Sequence, residues 1–407
     1  MKRAYIVDAA RTAVGKFGGT LASQRPDDLA AEVIKSLMQR NPTIDPSDIE
    51  DVLLGAANQA GEDNRNVARM SLLLAGLPYT VPGLTINRLC ASSLQAIADV
   101  SKNIAVGYGD VYIAGGVESM SRAPFVLSKS YTAYSRTNKI YDTSIGWRFI
   151  NPKLSKMYHP YAMGETAENI VDKYQITRVE QDEFAHHTQV KYQNAHDLGK
   201  FSDEIIPITI PKRKSDDLIF DKDEHPRLSS VDVLSNLKPA FKSGGSVTAG
   251  NSSGVNDGSA ALVIVSEDAL KRYNLEPIAE VVSSAAVGVS PDIMGIGPVN
   301  ATFKAVERAG ISINDIDLVE LNEAFAAQSI ACIRDLELNP EIINVNGGSI
   351  AIGHPLGASG ARIVSTLIHE LKKRETAKYA LATMCVEIGR AHVRTPVTEK
   401  SRMPSSA

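Results

Sequence analysis

The stretch Ile49-Glu50-Asp51-Val52-Leu53-Leu54-Gly55 returns in the second half of the chain as Ile316-Asp317-Leu318-Val319-Glu320-Leu321-Asn322. Each is a short apolar run of the kind that forms a buried strand, and the echo is the clearest trace of an internal duplication. Outward from it, both halves follow one plan of short strands alternating with amphipathic helices, which predicts an α/β fold with helix-covered sheets. The first half reads as strands at 4–7, 49–54 and 111–114 with helices at 26–38 and 90–106. The second reads as strands at 279–283, 316–321 and 379–384 with helices at 299–309 and 357–373.

Between the halves the texture changes. Residues 118–247 are rich in Lys, Asp, Ser, Tyr and Pro, with helical patterns at 165–174 and 179–195. A segment this long and this patterned is expected to cover a site rather than act as a linker. The expected organisation is a first domain at 1–120 plus 247–275, an inserted loop domain at 121–246, a second domain at 276–386 and a tail at 387–407.

Composition narrows the function. The 407 residues are 43% hydrophobic and 22% charged, the balance of a soluble globular protein. A net charge of -4 gives no reason to expect nucleic-acid or membrane-surface binding. Asp8 and Arg11 interrupt the N-terminal apolar run before a signal core or a membrane span can form, so a cytoplasmic location is expected. Three cysteines, Cys90, Cys332 and Cys385, are too few for a disulfide framework and are expected as reduced thiols. No metal site and no permanently bound cofactor is expected.

Four segments carry chemistry. In Leu84-Thr85-Ile86-Asn87-Arg88-Leu89-Cys90-Ala91-Ser92-Ser93 a strand-like run gives way to a helical one at Cys90. A thiol there meets free backbone N–H groups and the positive end of the helix dipole, which favour the thiolate nucleophile; a small buried hydrophobe is the alternative use. In Asn346-Gly347-Gly348-Ser349-Ile350-Ala351-Ile352-Gly353-His354-Pro355-Leu356-Gly357 a histidine is fixed between Gly and Pro. Its neighbours leave room around the imidazole, and a Cys–His pair is a common route to an activated thiolate. The alternative, a phosphate loop, lacks a following Gly-Lys-Ser/Thr and a dinucleotide fingerprint. Ala380-Leu381-Ala382-Thr383-Met384-Cys385 is a buried strand ending on a cysteine, where α/β active sites collect, although an inert core thiol has the same pattern. In Glu320-Leu321-Asn322-Glu323, Asn322 is placed to orient a water or an oxyanion, or else to form a turn.

Together these segments resemble the thiolase family from Met1 to about Val386. Supporting stretches are Gly115-Gly116-Val117-Glu118-Ser119-Met120-Ser121, Thr248-Ala249-Gly250-Asn251-Ser252-Ser253-Gly254 and Met294-Gly295-Ile296-Gly297-Pro298. The resemblance implies the thiolase fold, two duplicated α/β domains in a five-layer αβαβα arrangement with an inserted coenzyme A loop domain. It implies an acetyl-CoA C-acyltransferase that cleaves a 3-oxoacyl-CoA with CoA, or runs the reverse Claisen condensation. Cys90 would be the nucleophile, His354 its base and Cys385 the second acid/base. A water on Asn322 with His354 would form one oxyanion hole, and the backbone N–H groups of Cys90 and residue 387 the other. Ser253 would lie near the pantetheine, Ala324 and Phe325 along its tunnel, and Met163 against the acyl end.

Arg213, between Lys212 and Lys214, suits a phosphate contact, although such a run also serves as a solvated face. Cys332 reads as core, and His186, His187, His196 and His369 as surface. The family also implies a homodimer or homotetramer and a place in fatty acid β-oxidation or related lipid breakdown. The stretches at 57–69 and 142–152 look like those of degradative acyltransferases, including 3-oxoadipyl-CoA thiolases. A condensing β-ketoacyl synthase would carry a second histidine where Cys385 stands, and a non-catalytic acyl-CoA or lipid binder would lack a catalytic group.

Two departures stand out. Ser93 occupies a position where the family usually has Gly. Glu387 stands where thiolases have Gly, and the tail beyond it lacks a strand or helix pattern and carries Pro396 and Pro404. Residues 387–398 and 401–407 can be encoded by a common sequencing-library adapter, with Arg394 at an altered stop codon. The tail is therefore expected to be non-native and to leave the second sheet without its last strand.

Overall fold

Alternation along the echoed strands sorts their side chains between separate cores. The computed structural model describes residues 1–130 and 132–386, and the backbone of 397–400. Asp51–Gly55 sends Val52 and Leu54 into an outer core and Leu53 into a central one. Ile316–Leu321 does the same, with Val319 and Leu321 in a second outer core and Leu318 in the shared central one. This period-two pattern requires helices on both faces of each sheet.

In the first half, β1 (Ala4–Thr12), β2 (Asp51–Gly55), β3 (Gly83–Ile86), β4 (Val111–Ser119) and β5 (Asn256–Ser266) lie in the order β3-β2-β4-β5-β1. β2 is parallel to both β3 and β4, whereas β5 is antiparallel to β4 and to β1. The second half repeats this with β6 (Ala279–Ser283), β7 (Ile316–Leu321), β8 (Tyr379–Thr383) and β9 (Val397–Lys400) in the order β7-β8-β9-β6. β7 and β8 are parallel, and β9 is antiparallel to β8 and β6. Both sheets are therefore mixed. They meet edge to edge where Tyr5 pairs with Glu280 and Ile6 with Ala279.

Helices α1 (Pro26–Arg40) and α2 (Val67–Leu74) cover the outer face of the first sheet. Between the sheets lie α3 (Ser92–Ala105) and, from late in the chain, α8 (Leu356–Lys373), packed on each other. α6 (Gly297–Ala309) and α7 (Ala326–Asp335) cover the far side. The expected five layers are present.

Inside the excursion, α4 (Met163–Tyr174) and α5 (Arg178–Asp197) pack against α7. Ile205–Ile206 joins β1 in parallel, and buried Arg11 pairs at 2.7 Å with both Glu204 and Asp223. Removing either carboxylate would strand a buried cation, so this triad ties the excursion to the first sheet.

Two expectations are corrected. His369 is not at the surface: it is buried on α8, and its Nε2 sits 3.0 Å from the Ala9 carbonyl of β1. The tail does not leave the second sheet short of a strand, because β9 fills the slot that β5 fills in the first half. The physical reason is that β6 and β8 would otherwise present unpaired backbone edges, and ladder bonds accept almost any side chain. Glu387 lies outside the described residues. No helix among the described residues is long and apolar enough to cross a membrane.

Candidate active site

The duplication places the two central residues in equivalent positions. Cys90 lies two residues before α3 and His354 two residues before α8, so both sit at the entrance to the paired central helices. The helix expected from residue 90 begins at Ser92, which leaves Cys90 in the turn. Leu89 adopts φ +50° there, and Ser92 Oγ holds the turn by accepting the Arg88 N–H at 2.8 Å and donating to the Leu89 carbonyl at 2.6 Å. A non-glycine residue in this region costs about 1–3 kcal/mol, a strain that recurs where a nucleophile is presented on a sharp strand-to-helix turn.

His354 is held from both sides. Gly353 takes φ +113°, which a side chain would resist, and the His354 N–H donates to Asn256 Oδ1 at 2.8 Å. The imidazole is buried, with Nδ1 2.6 Å from Ser359 Oγ and Nε2 without a hydrogen-bond partner among the described residues. Burial, reinforced by the charge of Arg362, pushes its pKa down to about 3. The ring is therefore neutral at physiological pH, with a lone pair available to take a proton.

Asn322 follows β7 as Gly55 ends β2, and it is fully buried. Its Oδ1 accepts from Ser349 Oγ at 2.6 Å, and Arg362 Nη2 donates to the same Ser349 Oγ at 2.5 Å. That leaves Asn322 Nδ2 as a buried donor without a hydrogen-bond partner among the described residues. Orphaned buried polar atoms are rare and call for a reacting group or a water. Asn322 Nδ2 and His354 Nε2 supply a donor and a base of this kind.

Cys385, two residues past β8, is buried in a cluster with Ala324, Phe325 and Met163. Ser253 joins the same region through its N–H to the Ala324 carbonyl at 3.0 Å, beside the Ser252–Phe325 bridge. Met163 also lines a cavity of about 460 Å³ with Leu89, Trp147 and Tyr158. A second cavity of about 260 Å³ shares Leu89 and Trp147 in its lining. Arg213 is exposed on the loop between Ile208–Ile210 and Leu218–Phe220, and lines neither cavity. Cys332 is buried with its thiol toward the Gly295 carbonyl.

Several contributors escaped the sequence reading. Glu118 accepts the N–H groups of Ala57, Asn58 and Gly357, and so ties the loop after β2 to the start of α8; burial pushes its pKa up to about 7 against those bonds. Glu320 points into the central layer with Arg362 at 3.5 Å, where burial outweighs the attraction and raises Glu320 to about 8. Ser93 is buried and accepts the Ala361 N–H at 2.9 Å, so its hydroxyl joins α3 to α8. Ser349, Ser359 and Arg362 carry only the signal of polar residues on an otherwise apolar helical run.

Comparison with known proteins agrees with this geometry. Residues 4–268 match the family model "Thiolase, N-terminal domain" and residues 275–395 match "Thiolase, C-terminal domain". A "Beta-ketoadipyl-CoA thiolase" of Acinetobacter baylyi is 52% identical over 392 residues, covering 96% of this chain and 98% of the relative. The "3-oxoadipyl-CoA/3-oxo-5,6-dehydrosuberyl-CoA thiolase" of Escherichia coli is 50% identical, with 96% and 98% covered. The crystal structure of the Bacillus anthracis acetyl-CoA acetyltransferase superposes with a TM-score of 0.91 at 42% identity, covering 98% of this chain and 99% of that one.

Proposed function

This chain belongs to the thiolase family of acyltransferases, and from that premise we propose that it cleaves 3-oxoadipyl-CoA with CoA to acetyl-CoA and succinyl-CoA. The substrate choice rests on the names and high identity of the relatives. They favour a six-carbon dicarboxylic acyl group over the fatty acyl chains expected from the family at large. The observation that carries the chemistry is the neutral, fixed imidazole of His354 with Nε2 unpartnered.

In this reading His354 Nε2 takes the Cys90 proton as Sγ attacks the 3-oxo carbon. The alkoxide so formed is held by Asn322, through a water, and by backbone N–H groups. Its collapse breaks the bond between C2 and C3, and Cys385 gives its proton to C2, releasing acetyl-CoA. The succinyl group stays on Cys90. Incoming CoA gives its thiol proton to Cys385 and attacks the thioester, and His354 returns its proton to Cys90. Ser253, Ala324, Phe325 and Met163 would flank the pantetheine and the acyl group.

We further take the protein to act as a cytoplasmic homodimer or homotetramer, with residues 387–407 a non-native end. Light scattering tests the first point and resequencing of the 3′ end the second.

The deciding experiment is thiolysis of 3-oxoadipyl-CoA and acetoacetyl-CoA by wild type and Cys90→Ala, with mass spectrometry of the quenched enzyme. Cleavage confined to wild type, with a succinyl adduct on Cys90, is expected. Equal turnover by both proteins would rule out the Cys90 mechanism, and a preference for acetoacetyl-CoA would overturn the substrate.

A further inference from the structure

The second cavity, about 260 Å³, is built against both ends of the catalytic pair. Leu89, the neighbour of Cys90, and Leu356, two residues after His354, line it together. An acyl group carried on Cys90 therefore has this space within reach. Its walls include Trp147 and Met120, which suit methylene groups, and one cation, Arg148.

The segment that carries Arg148 is anchored by its neighbours. Thr143 Oγ1 donates to the Pro124 carbonyl at 2.6 Å, and Asn58 Nδ2 donates to Thr143 Oγ1 at 2.9 Å. Trp147 Nε1 donates to the Tyr161 carbonyl at 3.0 Å, and the Phe149 and Tyr141 rings meet at a tilt of 58° with centroids 4.9 Å apart. Yet Arg148, half-buried, makes no hydrogen bond or ion pair with any described residue. A guanidinium presents a planar fork of donors that fits a carboxylate, and one fixed beside an acyl cavity without a partner lacks its acceptor.

The cavity also holds an acidic group, Glu118. Its two oxygens are engaged by the N–H groups of Ala57, Asn58 and Gly357. It is a bracket for the backbone rather than the partner of Arg148.

We infer that Arg148 is a specificity-determining residue that binds the distal carboxylate of a dicarboxylic 3-oxoacyl-CoA, in the cavity bounded by Leu89, Trp147 and Leu356. This rests on the thiolase reading given above. In the succinyl-enzyme two methylenes separate the thioester from the carboxylate, so the methylenes lie along Trp147 and the charge meets the guanidinium. A monocarboxylic chain of equal length places a methyl group against the cation and gains nothing from it.

The test compares 3-oxoadipyl-CoA with 3-oxohexanoyl-CoA, which has the same chain length and a methyl group in place of the carboxylate. It uses the full chain as wild type, Arg148→Met and Arg148→Lys. Wild type is expected to favour the dicarboxylic substrate. Arg148→Met is expected to lose about 10- to 100-fold in kcat/KM for 3-oxoadipyl-CoA, the scale of a charged hydrogen bond, with 3-oxohexanoyl-CoA cleaved as before. Arg148→Lys is expected to retain part of the preference, and it keeps the test sound where the methionine variant fails to fold. Parallel losses for both substrates, or an unchanged ratio, would overturn the role of Arg148 while leaving the thiolase reading intact. Cleavage of neither substrate by wild type would overturn both.

Discussion

Ser359 Oγ lies 2.6 Å from His354 Nδ1 and 2.7 Å from the Pro355 carbonyl. The carbonyl can only accept, so the hydroxyl gives it its single proton and accepts from the imidazole in return. Nδ1 therefore carries the ring hydrogen, and Nε2 keeps the lone pair that the proposed mechanism uses as a base. Ser359 is a positioning residue.

Ser359→Ala removes the acceptor and frees the tautomer. Turnover is expected to fall on the order of 10-fold, part of what a general base contributes, with KM and melting temperature little changed. Stopped-flow acylation checks this, and Ser359→Thr, which restores the hydroxyl, is expected to recover most of the rate.

Ser349 orients Asn322 by a parallel logic. Its oxygen accepts from Arg362, so its proton is available for Asn322 Oδ1, and the amide nitrogen is turned outward. Asn322→Ala should lower kcat by about 10²–10³-fold, the scale of one lost oxyanion donor. Ser349→Ala should cost less, because the amide is loosened rather than removed. Loss in KM alone for both variants would place them in binding instead of turnover.

Glu320 sets a pH dependence of stability. Its folded pKa of about 8 lies above the ordinary value of 4.5 because burial penalises the charged form. A raised carboxyl pKa stabilises fully below the unfolded value, and that contribution is lost as pH rises from about 4.5 to about 8. At about 1.4 kcal/mol per pKa unit the loss is on the order of a few kcal/mol. Glu320→Gln cannot ionise, so its melting temperature should gain on wild type steadily across this interval. A constant difference from pH 5 to pH 8 would contradict the assignment.

Gly360 sets the spacing of the central helices. A Cβ there would collide with the backbone nitrogen of Leu94 on α3, which no side-chain rotation relieves. Gly360→Ala is expected to destabilise the protein by about 1–3 kcal/mol, the range for overpacking, and to lower activity by shifting Cys90 relative to His354. Denaturant unfolding and kcat measured together test both effects.

The candidate site residues could be picked out because their signals are local. Cys90 marks a strand-to-helix junction, His354 stands between Gly353 and Pro355, Cys385 ends an apolar strand, and Asn322 ends the echoed run. The same echo, read as a pair of short buried strands in a repeated strand-and-helix plan, carried the layered α/β plan. What holds these residues was not legible. Ser349, Glu118 and Arg362 act through partners remote in the chain, which come together only when the segments around β4, β7 and α8 pack, and the bond of Ser359 to His354 depends on how the chain turns into α8. The burial of His369 depends on α8 packing against β1, although its helix reads as amphipathic. The sheet position of Val397–Lys400 depends on two backbone edges needing a strand between them. Arg148 is one more charged residue in the chain until the fold sets it in the wall of one cavity with Leu89. Residue type and local order are properties of the chain alone, whereas distances between remote side chains come from the packing that buries them, and only the tertiary structure decides those.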